Sequence, residues 1–103
     1  MYNKTTKFRL ALDWTPNINH IGFYVAKEKG FYEEVNLDIE IISPEADNYK
    51  YSPAKKIELN HTDFALCPTE SIISFRTKKQ PFKLCALATI FQRDVSAIAV
   101  AED

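Results

Sequence analysis

The sequence predicts an α/β domain with a mostly parallel sheet in three layers, and three observations carry that prediction. Strand-like runs alternate with capped helical patterns along the chain. The first two runs alternate polar and apolar residues, which is the period of a pleated strand. The later runs are nearly continuous apolar stretches, as expected where helices cover both faces of a sheet. Crossovers between such strands should be right-handed.

Lys7-Phe8-Arg9-Leu10-Ala11-Leu12 alternates and then ends apolar, giving strand one. Trp14 to Asn17 forms a Pro/Asn turn. Asn19 is placed to cap a helix from about His20 to Lys29. Ile21, Tyr24 and Val25 give that helix an apolar stripe. Lys27 and Lys29 suit its negative end, and Gly30 suits the position just past it. Phe31 to Val35 makes one extra turn, and Leu37-Asp38-Ile39-Glu40-Ile41-Ile42 is strand two.

Ser43 to Tyr51 reads as a polar loop. Ser52 as cap and Pro53 in the first turn open a helix that runs to about Leu59. Asp63 to Cys67 is strand three, and Thr69 caps a helix from Glu70 to about Thr77. Phe82 to Ile90 is strand four, and Ser96 to Ala101 is strand five.

The chain has 103 residues, enough for one domain with a core and too few for two ordinary ones. The expectation is therefore a single α/β lobe over 1–103. A net charge of −1 argues against a nucleic-acid surface, which is usually basic. No apolar run is long enough to span a bilayer. The N-terminus shows no apolar segment of the secretory type, so the chain as it stands reads as cytoplasmic. A removed signal would make it periplasmic or extracellular.

Cys67 and Cys85 sit in apolar surroundings and read as buried free thiols. With His20 and His61 they show no metal-ligand spacing. Two glycines leave no phosphate-binding loop, and there is no Gly-x-Ser-x-Gly elbow. No catalytic residue is assigned. Lys55-Lys56 and Lys78-Lys79 read as solvated faces.

Ligands of open α/β sheets bind beyond the carboxyl ends of the strands. Strand one delivers Asp13 and Trp14 there, and the turn behind it adds Asn17, Asn19 and His20. Strand two delivers Ser43 and Pro44. Strand three delivers Cys67, Pro68, Thr69, Glu70 and Ser71, and strand four delivers Phe91, Gln92 and Arg93. An aromatic, two amides and an imidazole at one junction can grip a flat, nitrogen-rich ligand. Each also has a structural reading. Trp14 can be a rim aromatic, Asp13 can hold the turn, and Asn17 and Asn19 can act as turn and cap residues. His20 can order the helix start, and Glu70 gains from the helix dipole in any case. Glu70 and Ser71 would offer a carboxylate and donors to an aminopyrimidine-like edge.

The run Leu12-Asp13-Trp14-Thr15-Pro16-Asn17-Ile18-Asn19-His20, the block Phe23-Tyr24-Val25-Ala26 with Lys29-Gly30-Phe31-Tyr32, and Asp63-Phe64-Ala65 closely resemble thiamine-pyrimidine precursor proteins. These belong to the type 2 periplasmic-binding-protein superfamily, and the resemblance runs from about Lys7 to Ala101. It implies the N-terminal lobe of a two-lobed binder, with a pyrimidine stacked on Trp14. Asn17, Asn19, His20, Ser43, Thr69, Glu70, Ser71 and Gln92 would line the same site. The chain is well short of the family's usual length, so the second lobe is expected on another stretch or another chain. The resemblance also implies an ABC transporter permease as a candidate partner, and a lone lobe that leaves its apolar cleft face uncovered is expected to self-associate.

The family also contains fungal hydroxymethylpyrimidine phosphate synthases. The resemblance implies that these use a Lys that holds pyridoxal phosphate and a His that is consumed. Aligned on Asp63, those places fall at Cys67 and Ser71, so a non-catalytic binder without a cofactor is the first expectation. The alternatives are a synthase using pyridoxal phosphate, for which Lys27, Lys29 and Lys50 are the nearest lysines but none stands where the family's does, and a truncated lobe that only self-associates.

Overall fold

A computed structural model describes residues 4–91 and 97–102. Its sheet has three strands, β1 (Thr6–Ala11), β2 (Leu37–Ile42) and β3 (Phe64–Ala65), in the order β2-β1-β3. Both pairings are parallel. The helices are α1 (Ile21–Glu28), α2 (Phe31–Glu34), α3 (Pro53–Glu58) and α4 (Thr69–Thr77). Single 3₁₀ turns at Ile18–His20 and Pro44–Asp47 complete the connections. The chain is thus an α/β unit built on a parallel sheet, with β1 at its centre.

The central position of β1 follows from its composition. Leu10, Ala11 and Leu12 are buried, the last two completely. Ala54 and Leu84 pack into the same small core. In register, Thr6 faces Leu37 and Ala11 faces Ile42 on one side, while Leu10 faces Phe64 on the other. Backbone bonds extend the ladder beyond the regular strands, from Leu12 N to Ile42 O and from Leu66 N to Ala11 O, each 2.9 Å.

Several expectations hold locally. β2 matches its predicted span residue for residue, and β1 is shifted by one. Ser52 Oγ accepts from Lys55 N at 3.2 Å, and Pro53 begins α3. Gly30 adopts φ 74°, the left-handed conformation that ends α1.

Others are corrected. Residues 82–90 form no strand, and residues 97–102 are without regular structure. The two-residue β3 leaves too short an edge for an apolar run to pair with. Within this region Leu84 is buried, whereas Leu87, Ile98 and Val100 are exposed. Strand three shrinks to two residues, and Phe64 on it is exposed. Ile21 and Val25 face solvent, and the half-buried side of α1 is Phe23, Tyr24 and Ala26. Lys56 is not on a solvated face but is 3% exposed. The chain at 44–47 is a 3₁₀ turn rather than open loop. No helix among the described residues is long and apolar enough to cross a membrane.

Candidate functional site

The carboxyl end of β1 is organised by one imidazole. The Asn17 backbone N–H donates to His20 Nδ1 at 3.1 Å, so that nitrogen carries no proton. Nε2 therefore holds the proton and donates to Asp13 Oδ1 at 2.7 Å. His20 is 1% exposed. Asn17 caps the 3₁₀ turn: its Oδ1 accepts from Asn19 N at 2.9 Å, and its Nδ2 donates to Thr15 O at 2.9 Å. The expected cap at Asn19 is thus supplied two residues earlier, which leaves the Asn19 amide exposed.

A cleft of about 910 Å³ opens at this junction. Asp13, Asn19 and His20 line it from one side, and Cys67, Pro68, Thr69 and Glu70 from the start of α4. The stretch from Phe82 to Phe91 supplies another wall, and Ile57, Ile72 and the segment 63–66 around β3 complete the lining. Glu70 lies in the first turn of the nine-residue α4, where a carboxylate is favoured. Pro68, not Thr69, holds the cap position of this helix, so the Thr69 hydroxyl is not used for capping.

The cleft is acidic on its polar side. Burial pushes the Cys67 thiol up, hydrogen bonding with Ser71 pulls it the other way, and the charges of Asp13 and Glu70 add to the rise. Cys67 is therefore held as a thiol and is a poor nucleophile. An environment with Asp13 and Glu70 together favours ligands that present N–H donors.

Of the sequence-predicted residues, Asn19, His20, Thr69 and Glu70 meet around the cleft. Trp14 and Asn17 do not line it. Trp14 stands outside it, 61% exposed, with its ring centroid 5.4 Å from that of Tyr49. Ser43 accepts from Glu45 N at 3.3 Å and caps the turn at Pro44, away from the cleft. Ser71 is half-buried in α4 behind Cys67. Gln92 lies outside the described residues.

Sequence reasoning missed three participants. The lysine that lines the cleft is Lys83, not Lys27, Lys29 or Lys50. The apolar stretch around Leu84 is a cleft wall and not a strand. Tyr49 was hidden in a polar loop, and no pattern around it announces contact with Trp14. Neither cysteine is fully buried, Cys67 being half-buried and Cys85 exposed, and both are free.

Residues 17–103 match the family model described as NMT1/THI5 like. The chain belongs to this family. Among its NMT1/THI5-like relatives, a protein of Haemophilus influenzae named for thiamine biosynthesis is 43% identical over 56 residues, 52% of this chain and 18% of its own. The formylaminopyrimidine-binding protein of Halalkalibacterium halodurans is 34% identical over 75 residues, 70% of this chain and 21% of its own. A 4-amino-5-hydroxymethyl-2-methylpyrimidine phosphate synthase of Saccharomyces cerevisiae is 40% identical over 40 residues, covering 39% and 12%. Aligned segments thus span about a fifth or less of these relatives. The family match begins at Asn17, so Asp13 and Trp14 lie ahead of it, whereas Asn19, His20, Thr69 and Glu70 lie within it.

Proposed function

We propose that this chain forms one wall of a binding site for a pyrimidine on the route to thiamine, and that it binds this ligand without transforming it. The observation that carries the reading is the meeting of Asn19 and Glu70 across a single cleft at the carboxyl end of the sheet. An aminopyrimidine offers an exocyclic amine to a carboxylate, and its ring nitrogens can accept from an amide. Glu70 and Asn19 supply those partners, and Asp13 adds to the negative field. Trp14, next to the cleft-lining Asp13 but outside the cleft itself, provides a flat exposed surface for stacking. Two relatives of different activity, a binder and a synthase, are both named for such pyrimidines, which supports this ligand class.

In this reading residues 1–103 form one lobe of the site. Closure against a second lobe would exclude water from the other face of the ligand, so a lone lobe binds weakly. Transport or salvage, with delivery to a permease, suits a binder of this kind.

A pyridoxal-phosphate synthase is the second reading. The described residues fit the cofactor poorly. Lys83 is the lysine of the cleft, and it is exposed on a stretch without regular structure. His20 has both ring nitrogens engaged, and Cys67 and Ser71 occupy the places where the resemblance puts the synthases' Lys and His.

Calorimetric titration with 4-amino-5-hydroxymethyl-2-methylpyrimidine and with a formylaminopyrimidine tests the proposal. Saturable heat is expected from at least one of them and none from uracil. Glu70→Gln should weaken binding by about tenfold, the loss of one charge-assisted hydrogen bond. Silence at millimolar pyrimidine would sink the reading. An imine absorbance on adding pyridoxal phosphate would favour the synthase instead.

A further inference from the structure

Outside the cleft, against Thr15 and Trp14, residues 44–51 hold a tyrosine in a conformation that bulky side chains avoid. Asn48 has φ 55° and Tyr49 has φ 61°. Asparagine enters the left-handed region readily, whereas tyrosine is uncommon there and persists when its surroundings fix it. Tyr49 is fixed at both ends. Its backbone N–H donates to Pro44 O at 2.9 Å. Its hydroxyl lies 2.6 Å from Thr15 Oγ1, and its ring tilts 49° against the Trp14 indole.

The turn itself is anchored from below. Asp47 accepts from the backbone N–H groups of Lys50 and Tyr51, each at 3.3 Å. Its carboxylate also lies 3.7 Å from Nζ of Lys56, an ion pair with a buried ammonium that has no hydrogen-bond partner among the described residues. A buried ammonium with one carboxylate partner adds little net stability, yet it fixes where that partner sits.

We propose that Tyr49 is the positioning residue of Trp14. Its hydroxyl tie to Thr15 and its ring contact hold the indole with its free face outward, and the Lys56–Asp47 pair sets Tyr49 in its left-handed pose. The free face is the stacking surface for a flat heteroaromatic ligand, a use that rests on the function proposed above. The positioning itself does not.

Trp14 is the only tryptophan of the chain, so its fluorescence reports the pose directly. Tyr49→Phe keeps the ring and removes the tie, and Thr15→Val removes the tie from the other side. Each should raise acrylamide quenching of Trp14 and lower its anisotropy, with far-UV circular dichroism unchanged. Combining them should add nothing further. Tyr49→Asn keeps a residue that tolerates positive φ and deletes the ring, so it should free the indole most. Asp47→Asn should shift Trp14 in the same direction from a distance. Unchanged quenching and anisotropy in Tyr49→Phe and Thr15→Val would overturn the proposal. In parallel, affinity for 4-amino-5-hydroxymethyl-2-methylpyrimidine should fall roughly two- to tenfold in Tyr49→Asn, the range an aromatic contact supplies. Fluorescence changes in a protein whose wild type binds no pyrimidine would keep the positioning role and remove the pyrimidine reading.

Discussion

Leu37–Ile42 and Phe82–Ile90 both carry strand-like sequence, and their structures diverge. The first pairs along its whole length with β1. The second runs without pairing, with Leu84 buried and Leu87 and Ile90 exposed. β-propensity describes fit to a pleated, half-buried surface, so it is realised where a partner edge exists. β1 offers six residues to β2, while β3 offers two to anything beyond it. The edge available for pairing, more than the composition of the run, decides between the two outcomes.

Substitutions can break or sharpen that contrast. The largest effect is expected at Leu12, which is fully buried where β1 leaves the sheet. Leu12→Ala should lower stability by about 2–5 kcal/mol in urea denaturation, through lost burial and the cavity left behind. A smaller loss, about 1–3 kcal/mol, is expected for His20→Ala, which strands the Asn17 N–H and the Asp13 carboxylate. Amide exchange at Asn17 should quicken in that variant.

The acid limb of stability tests the tie between β1 and β3. Side-chain and backbone hydrogen bonds from Arg9 hold the Asp63 carboxyl below the usual range. Likewise Lys55 and Lys78 hold Glu58 low. A lowered folded pKa contributes stability above the unfolded value, near pH 4, and loses it as the pH falls through the folded one. Denaturation midpoints should therefore decline below about pH 4, and less steeply in Asp63→Asn. The smallest effect is expected at Ile98, 96% exposed. Ile98→Ser should change stability by no more than about 0.5 kcal/mol. A larger loss, on the scale of Leu12→Ala, would show that the segment 97–102 is packed in solution.

The elements that were legible in the sequence are those specified by neighbours in the chain. Alternation defined β2, Ser52-Pro53 defined the start of α3, and Gly30 defined the end of α1. Features set by contacts distant in sequence were not legible. Lys56 lies beside another lysine in a polar run, yet it is buried against Asp47. Tyr49 meets Trp14 across a turn whose left-handed residues carry no glycine to mark them. At the site, Asn19, Thr69 and Glu70 could be placed from the carboxyl-edge rule alone. His20 was foreseen at the junction but not its double engagement, which follows from the buried position of its ring.

The parallel sheet also sets an order of events during synthesis. Thr6 must wait for Leu37, and Leu10 for Phe64, before either has a partner. A nascent chain therefore emerges with its most buried strand ahead of both of that strand's partners. Such long-range pairings close slowly. Until Ile42 clears the ribosome, the Leu10-Ala11-Leu12 segment is exposed to whatever binds hydrophobic peptides in the cell. The strand that ends as the most protected part of the molecule begins as its most vulnerable.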